Sequence, residues 1–172
     1  MTKKTFFNRV TNGRKDVLGV FLGTLERLKV KYCVIGGLAV NAYAEPVVSL
    51  DLDVVIALEA KEKILSAIKK NFSVEVFEHS VNLGSKGSDV RIQIQTDPRY
   101  QEFIKRAESK NVLGYKMKVA AAEDVLKGKI WAYNDETRRK SKRQKDLADI
   151  FRLVEAQPKL KKLLPENVRS MI

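Results

Sequence analysis

The 172 residues hold 33 lysines and arginines against 21 aspartates and glutamates, a net charge of +12, and 44% of them are hydrophobic. That length and apolar content suit one domain with a single buried core, and the lone Cys33 excludes an intramolecular disulfide framework. The positive surplus fits either a polyanionic partner or a soluble surface, and by itself names no substrate.

Residues Thr2 to Arg9 lack the long apolar core of a signal peptide, and Asn41 and Glu45 break the apolar stretches well short of the ~20 residues that span a bilayer. A cytoplasmic protein without a membrane partner is therefore expected. Leu18, Phe21, Leu22, Leu25 and Leu28 recur at helical spacing and predict an amphipathic helix over roughly 14–28. A strand follows at Tyr32 to Ile35, where Cys33 reads as a small buried hydrophobe. Gly36-Gly37 punctuates the chain before a short helix, Leu38 to Tyr43, that Glu45-Pro46 ends.

The run Leu50 to Leu58 alternates acidic and apolar residues, then becomes continuously apolar at Val54-Val55-Ile56, as a central strand does. A short helix over 61–70, a strand at Val74 to Val76 and a polar loop at Gly84 to Ser88 come next. Strict alternation then predicts a half-buried strand over 89–95, with Val90, Ile92 and Ile94 on one face. Asp97-Pro98 opens a helix with Tyr100, Phe103, Ile104 and Ala107 as its buried stripe, and a strand or hairpin occupies 112–119. Two helices, 123–133 and about 141–155, close the pattern around the basic turn 137–140. The fold class is α+β: a mixed sheet flanked by helices, with 1–120 as the core and 121–172 as a C-terminal helical segment packed on it.

Two features carry chemistry. Asp51 and Asp53 stand at i and i+2 on a strand, so both carboxylates project from one face and repel each other unless a cation lies between them. Oxygen-rich sites of that kind suit Mg²⁺ or Mn²⁺. Gly36-Gly37, at a strand-to-helix turn, lets backbone N–H groups approach phosphate oxygens with no Cβ in the way. Either feature alone is compatible with a tight turn or a solvated strand edge; on successive strand, helix and strand they describe a triphosphate cradle facing a metal site.

Val34-Ile35-Gly36-Gly37 followed by Asp51-Leu52-Asp53 resembles the signature of the nucleotidyltransferase superfamily, whose fold is polymerase beta-like. Ser49-Leu50-Asp51-Leu52-Asp53-Val54-Val55 looks like the T-x-D-I-D run of the AbiEii-type and related minimal nucleotidyltransferases, with Ser49 where threonine is common and Val47 where arginine is often found. Ala122 to Leu126 with Lys129, and Arg143, Lys145-Asp146 and Asp149-Ile150, are similar to the two C-terminal helices of that group. The resemblance implies transfer of a nucleoside monophosphate from a nucleoside triphosphate to an acceptor hydroxyl, with metal on Asp51 and Asp53. Gly36, Gly37, Ser49, Lys129 and Asp146 would face the nucleotide, and a cognate antitoxin protein would be a partner. A third carboxylate normally completes such a site, but its position falls on Gln93, which leaves Asp89, about 13 Å along the strand, as the substitute catalytic acid.

Residues 138–145 hold six basic side chains in eight. Such a run fits a solvated turn, or an RNA acceptor held by Arg138, Arg139, Lys140 and Arg143. Lys142–Asp146 and Lys145–Asp149 are i,i+4 pairs that equally fit a salt-bridged helix face. His79 is the only histidine, which leaves little basis for histidine metal clusters or Ser-His-Asp catalysis.

Overall fold

The alternation of apolar runs with turn residues resolves, in a computed structural model describing residues 1–13 and 15–172, into helices α1 (Lys3–Val10), α2 (Val17–Arg27), α3 (Gly36–Val40), α4 (Lys61–Ile68), α5 (Gln101–Lys105), α6 (Ala122–Asn134), α7 (Lys140–Ala156) and α8 (Glu166–Arg169). The strands are β1 (Tyr32–Ile35), β2 (Asp51–Ile56), β3 (Ser73–Val76), β4 (Ser80–Gly84), β5 (Arg91–Gln95), β6 (Glu108–Val112) and β7 (Tyr115–Val119). They form one sheet in the order β3-β4-β5-β2-β1-β7-β6. The sheet is mixed: β2 runs parallel to β5 and β1 parallel to β7, while the other neighbours are antiparallel.

Most elements fall where periodicity puts them, with four differences. The expected start of the second helix at Arg14 lies outside the described residues; Asp16 caps α2, accepting from the Gly19 N–H at 2.9 Å. Helix α1 has too thin an apolar content to show in the periodicity: Phe7 alone is buried, and the Thr2 hydroxyl caps it through the Thr5 N–H. Strand β4 gives no clear alternation either, since Val81 and Leu83 are only two apolar beats before Gly84 ends the run. The strand over 89–95 begins two residues late, at Arg91.

One face of β2, β5 and β4 is dry. Leu52, Val54, Ile92, Ile94, Val81 and Leu83 are all buried there, in rows fixed by the pairings Leu52↔Ile92 and Ile92↔Leu83. Burying such side chains contributes about 1.5–3 kcal/mol each. Cys33 lies in β1 opposite Val55, fully buried; burial first, and the Asp124 charge second, push its thiol up to about 12.

The helices α6 and α7 pack on one another around buried charge. Lys129 on α6 reaches Asp146 at 2.9 Å and Asp149 at 2.7 Å on α7. Burial alone would push the Lys129 ammonium down, but Asp149 and Asp146 together hold it above the usual lysine range. Arg138 adds a second contact to Asp146 at 2.7 Å, and Arg152 pairs with Asp149 at 2.7 Å. Asp146 and Asp149 face inward, so in place of the i,i+4 partners Lys142 and Lys145 they take Lys129 with Arg138 and Lys129 with Arg152. Lys129→Ala should remove the cation from two buried carboxylates and cost about 3–5 kcal/mol in urea unfolding, whereas Lys145→Ala on the exposed face should stay within about 0.5 kcal/mol.

Candidate functional site

The uncovered chemistry lies on the other face of β2. Alternation turns Asp51 and Asp53 away from the dry core, and both border open clefts. Ile35 pairs with Asp53, so the turn after β1 meets the carboxylate directly. Gly36 there has φ +70°, and a Cβ added to it would overlap Asp53 Oδ2. Glycine is therefore required twice at this position, by backbone conformation and by the approach of the acid. Gly37 is less constrained: a Cβ would stand 3.4 Å from Ser49 Oγ, an ordinary contact. Ser49 is buried between that turn and β2, its Oγ 3.4 Å from the Asp51 N–H.

The loop entering β2 is clasped from two sides. Asn41 donates to the Val47 carbonyl at 2.7 Å and accepts from its N–H at 3.0 Å. Arg152 of α7 donates to Asn41 Oδ1 at 2.9 Å and to the Glu45 carbonyl. Helix α7 thus holds the loop that positions Ser49 and Asp51.

Accounting for the acids that line the cleft beside Gly36 singles out one of them. Asp124 is held by Arg106 through two bonds of 2.8 Å, and Asp146 is shared by Lys129 and Arg138. Asp53 has neither an ion pair nor a hydrogen bond among the described residues. Burial pushes its carboxyl up to about 6, the Lys129 charge opposes this, and Asp51 adds to it. Asp51 is more open and carries Arg91 at 2.9 Å. A half-buried carboxylate without a partner, opening on a cleft and two residues from a second carboxylate, has the chemistry of a divalent-cation site. Asp51 and Asp53 are the residues that would hold such an ion, which would supply charge neutralisation for a polyphosphate.

Gln93 stands directly opposite Asp53 in the parallel ladder, as the sequence spacing implies. Asp89 does not replace it. It precedes β5, its carboxylate accepts from Asn12 Nδ2 at 2.7 Å, and its N–H bonds the Thr11 carbonyl, so it anchors the end of α1 and lines neither cleft bordering Asp53. No group of three or more metal-ligating side chains exists among the described residues.

The other expected residues divide. Lys129 and Asp146 border the same cleft as Gly36 and Asp53, but their charges are committed to each other. Of the basic cluster, Arg138 turns inward to Asp146, and Arg143 donates to the Tyr133 carbonyl at 2.7 Å. Arg139 and Lys140 remain exposed. Trp131 stacks on Phe103 at 5.7 Å and meets Tyr100 edge-on at 5.3 Å, so these aromatics are packing groups. Arg91, Lys142 and the Arg152–Asn41 clasp were not singled out from sequence. Only the polar phase of the strand over 89–95 hinted at Arg91, and nothing local marks Arg152.

The fold of this chain recurs in solved structures. The lincosamide antibiotic adenylyltransferase LnuA, lincomycin-bound, aligns with TM-score 0.57 at 14% identity, over 79% of this chain and 95% of that one. ANT(2'')-Ia in complex with adenylyl-2''-tobramycin aligns with TM-score 0.64 at 13% identity, over 90% and 94%. The chain has the nucleotidyltransferase fold. An antigenic nucleotidyltransferase-like protein from Paracoccidioides brasiliensis shares it at TM-score 0.55 and 20% identity, over 81% of this chain and 74% of that one. At these identities the likeness establishes the fold alone. No family model and no curated protein matches the sequence. No helix among the described residues is long and apolar enough to cross a membrane.

Two outcomes follow from the geometry around Asp53. Gly36→Ala should unfold at markedly lower denaturant than Gly37→Ala, because only the former meets both a left-handed φ and the carboxylate. Asp53, with its carboxyl near 6 in the fold against 3.8 in the open chain, takes up a proton more readily when folded. Its ionised form therefore opposes folding above about pH 6, and the penalty fades as pH falls toward 3.8. Asp53→Asn should accordingly stabilise the metal-free protein at pH 7.5, on the order of 1–3 kcal/mol, and lose that advantage near pH 4 in paired thermal melts.

Proposed function

We propose that this protein is a divalent-cation-dependent nucleotidyltransferase that moves a nucleoside monophosphate from a nucleoside triphosphate to an acceptor hydroxyl, with an RNA end as the acceptor. The observation that carries the reading is the unpartnered Asp53 facing the Gly36-Gly37 turn. The fold supports it, since the solved structures that share it include adenylyltransferases acting on antibiotics. The likeness of Ser49 to Val55 to the AbiEii-type group extends the reading to a toxin role with a cognate antitoxin.

In the reaction, the acceptor oxygen bonds to the α-phosphorus and the bond from that phosphorus to the α,β-bridging oxygen breaks. Pyrophosphate leaves, and the hydroxyl proton passes to solvent because Gln93 cannot take it. This chain's contribution is placement and charge. Gly36 lets the turn close over Asp53 and lines the cleft where phosphate oxygens would enter, Ser49 and the Asn41–Arg152 clasp fix the loop, and Arg138, bonded to Asp146, adds positive charge at the cleft wall.

A second reading rests on Gln93: the same site binds triphosphate without transferring it, and the protein serves as a binding module. Incubation with each α-labelled triphosphate, Mg²⁺ or Mn²⁺, and total RNA separates the two. Transfer of label that Asp51→Asn and Asp53→Asn both abolish supports the enzyme, and binding without transfer supports the module. Gln93→Asp, which places an acid beside Asp53, should raise transfer about 10²-fold in the enzyme and bring measurable transfer to a parent that only binds; an unchanged or lower rate would remove Gln93 as the limiting group.

A further inference from the structure

The face of the sheet that carries Asp53 continues, without a helix over it, to the sheet edge. The pairings Asp53↔Gln93, Gln93↔Asn82 and Asn82↔Glu75 place four polar side chains in one transverse row across β2, β5, β4 and β3. At about 4.8 Å per strand the row runs roughly 14 Å outward from Asp53. All four residues, with Asp51, Arg91 and Lys142, border one cleft of about 430 Å³. On the reverse side of the same strands lie buried Leu52, Ile92 and Leu83, so the row is the solvent phase of these strands.

What distinguishes this row from an ordinary solvated sheet face is Asn82 at its middle, between the exposed Gln93 and Glu75. Among the described residues Gln93, Asn82 and Glu75 form no side-chain hydrogen bond or ion pair, and Asn82 Oδ1 is buried without any partner. The neighbouring Gln95 differs: its Oε1 accepts from the Thr96 and Asp97 N–H groups, and so serves the fold. A buried amide oxygen left empty is costly, and its donor is to be sought in a ligand.

We infer that this row is the acceptor platform and that it takes the terminal nucleoside of a single-stranded RNA. The assignment rests on the transferase reading above. Two side-chain amides and a carboxylate match the edge donors and acceptors of nucleobases: Asn and Gln pair with adenine edges, and carboxylates accept from the cytosine amino group. Unpaired bases, unlike those in a duplex, can lie against such a row. The terminal base then lies over Gln93, Asn82 and Glu75, with its ribose toward Asp51 and Asp53.

The charge on α7 completes the fit. The first turn of α7 has no acid and carries Lys140, Lys142 and Arg143, placing cations at the positive end of the helix dipole. That arrangement disfavours the helix and favours an anion; Lys142 borders the platform cleft, and Arg139 and Lys140, just before it in the chain, are exposed. Upstream RNA phosphates would lie along this turn.

The test is binding of 5′-fluorescein-labelled RNA octamers that end in A, C, G or U, followed by anisotropy at several salt concentrations without triphosphate. The full-length protein should bind them, prefer some terminal bases, and show a log–log salt slope of about −0.7 per phosphate contacted. Asn82→Ala and, on the exposed edge, Glu75→Gln should each weaken the preferred octamer about tenfold and flatten the preference among terminal bases. Triphosphate binding, titrated separately with Mg²⁺, should be unchanged in both. A melting temperature within about 2 °C of the parent qualifies a variant for comparison. Equal RNA affinity and base preference in both folded variants would overturn the platform. So would absent RNA binding alongside Asn82-dependent binding of an amino sugar, which would assign the row to a small acceptor. Loss of triphosphate binding in the parent, with base-selective RNA binding intact, would overturn the transferase reading while leaving the platform standing.

Discussion

Lys129, inserted between Asp146 and Asp149, is the contact on which the arrangement of the cleft depends. It joins α6 to α7 through charge that cannot be left unpaired, and α7 in turn reaches the β2 entry loop through Arg152. The position of Ser49, and so the beginning of the acidic strand, is set by residues a hundred positions later in the chain. The cleft is therefore bounded by groups whose geometry is fixed jointly, which is what placement of a reacting phosphate requires.

Around that fixed frame the acids are treated unequally. Asp124 and Asp146 are neutralised by arginine and lysine, and Asp51 by an exposed arginine, but Asp53 has no ion-pair partner among the described residues and feels Lys129 only at a distance. Gly36 adopts a left-handed conformation under its carboxylate. Two local preferences are thus set aside at one point of an otherwise well-satisfied sheet, which is how a functional position departs from its surroundings.

The sequence made the core of this legible because strand alternation and helical spacing are local signals. Asp51-Leu52-Asp53 had to present both acids on one face, and Ile35-Gly36-Gly37 had to turn beside them; the register Ile35↔Asp53 and Asp53↔Gln93 follows. What stayed hidden depends on contacts between distant segments. Asp89 reads as part of a strand, but a bond from Asn12 draws it to the end of α1. Asp146 and Asp149 each follow a lysine by four residues, as on a salt-bridged surface face, and only the packing of α6 reveals them as inward. Strand β4 is too short and too polar to announce itself, so Asn82 could not be placed beside Gln93 until the sheet was assembled.

Cys33 occupies the middle of this assembly, on the strand that precedes the glycine turn and beside the acidic one. Its thiol is fully enclosed and held in the protonated, unreactive form. Surface fluctuations of loops or of the basic turn leave it untouched; a thiol reagent can meet it only when β1 separates from its neighbours. The chain thus carries a single chemical clock at its centre, whose labelling rate counts openings of the sheet itself and is blind to motion at its periphery.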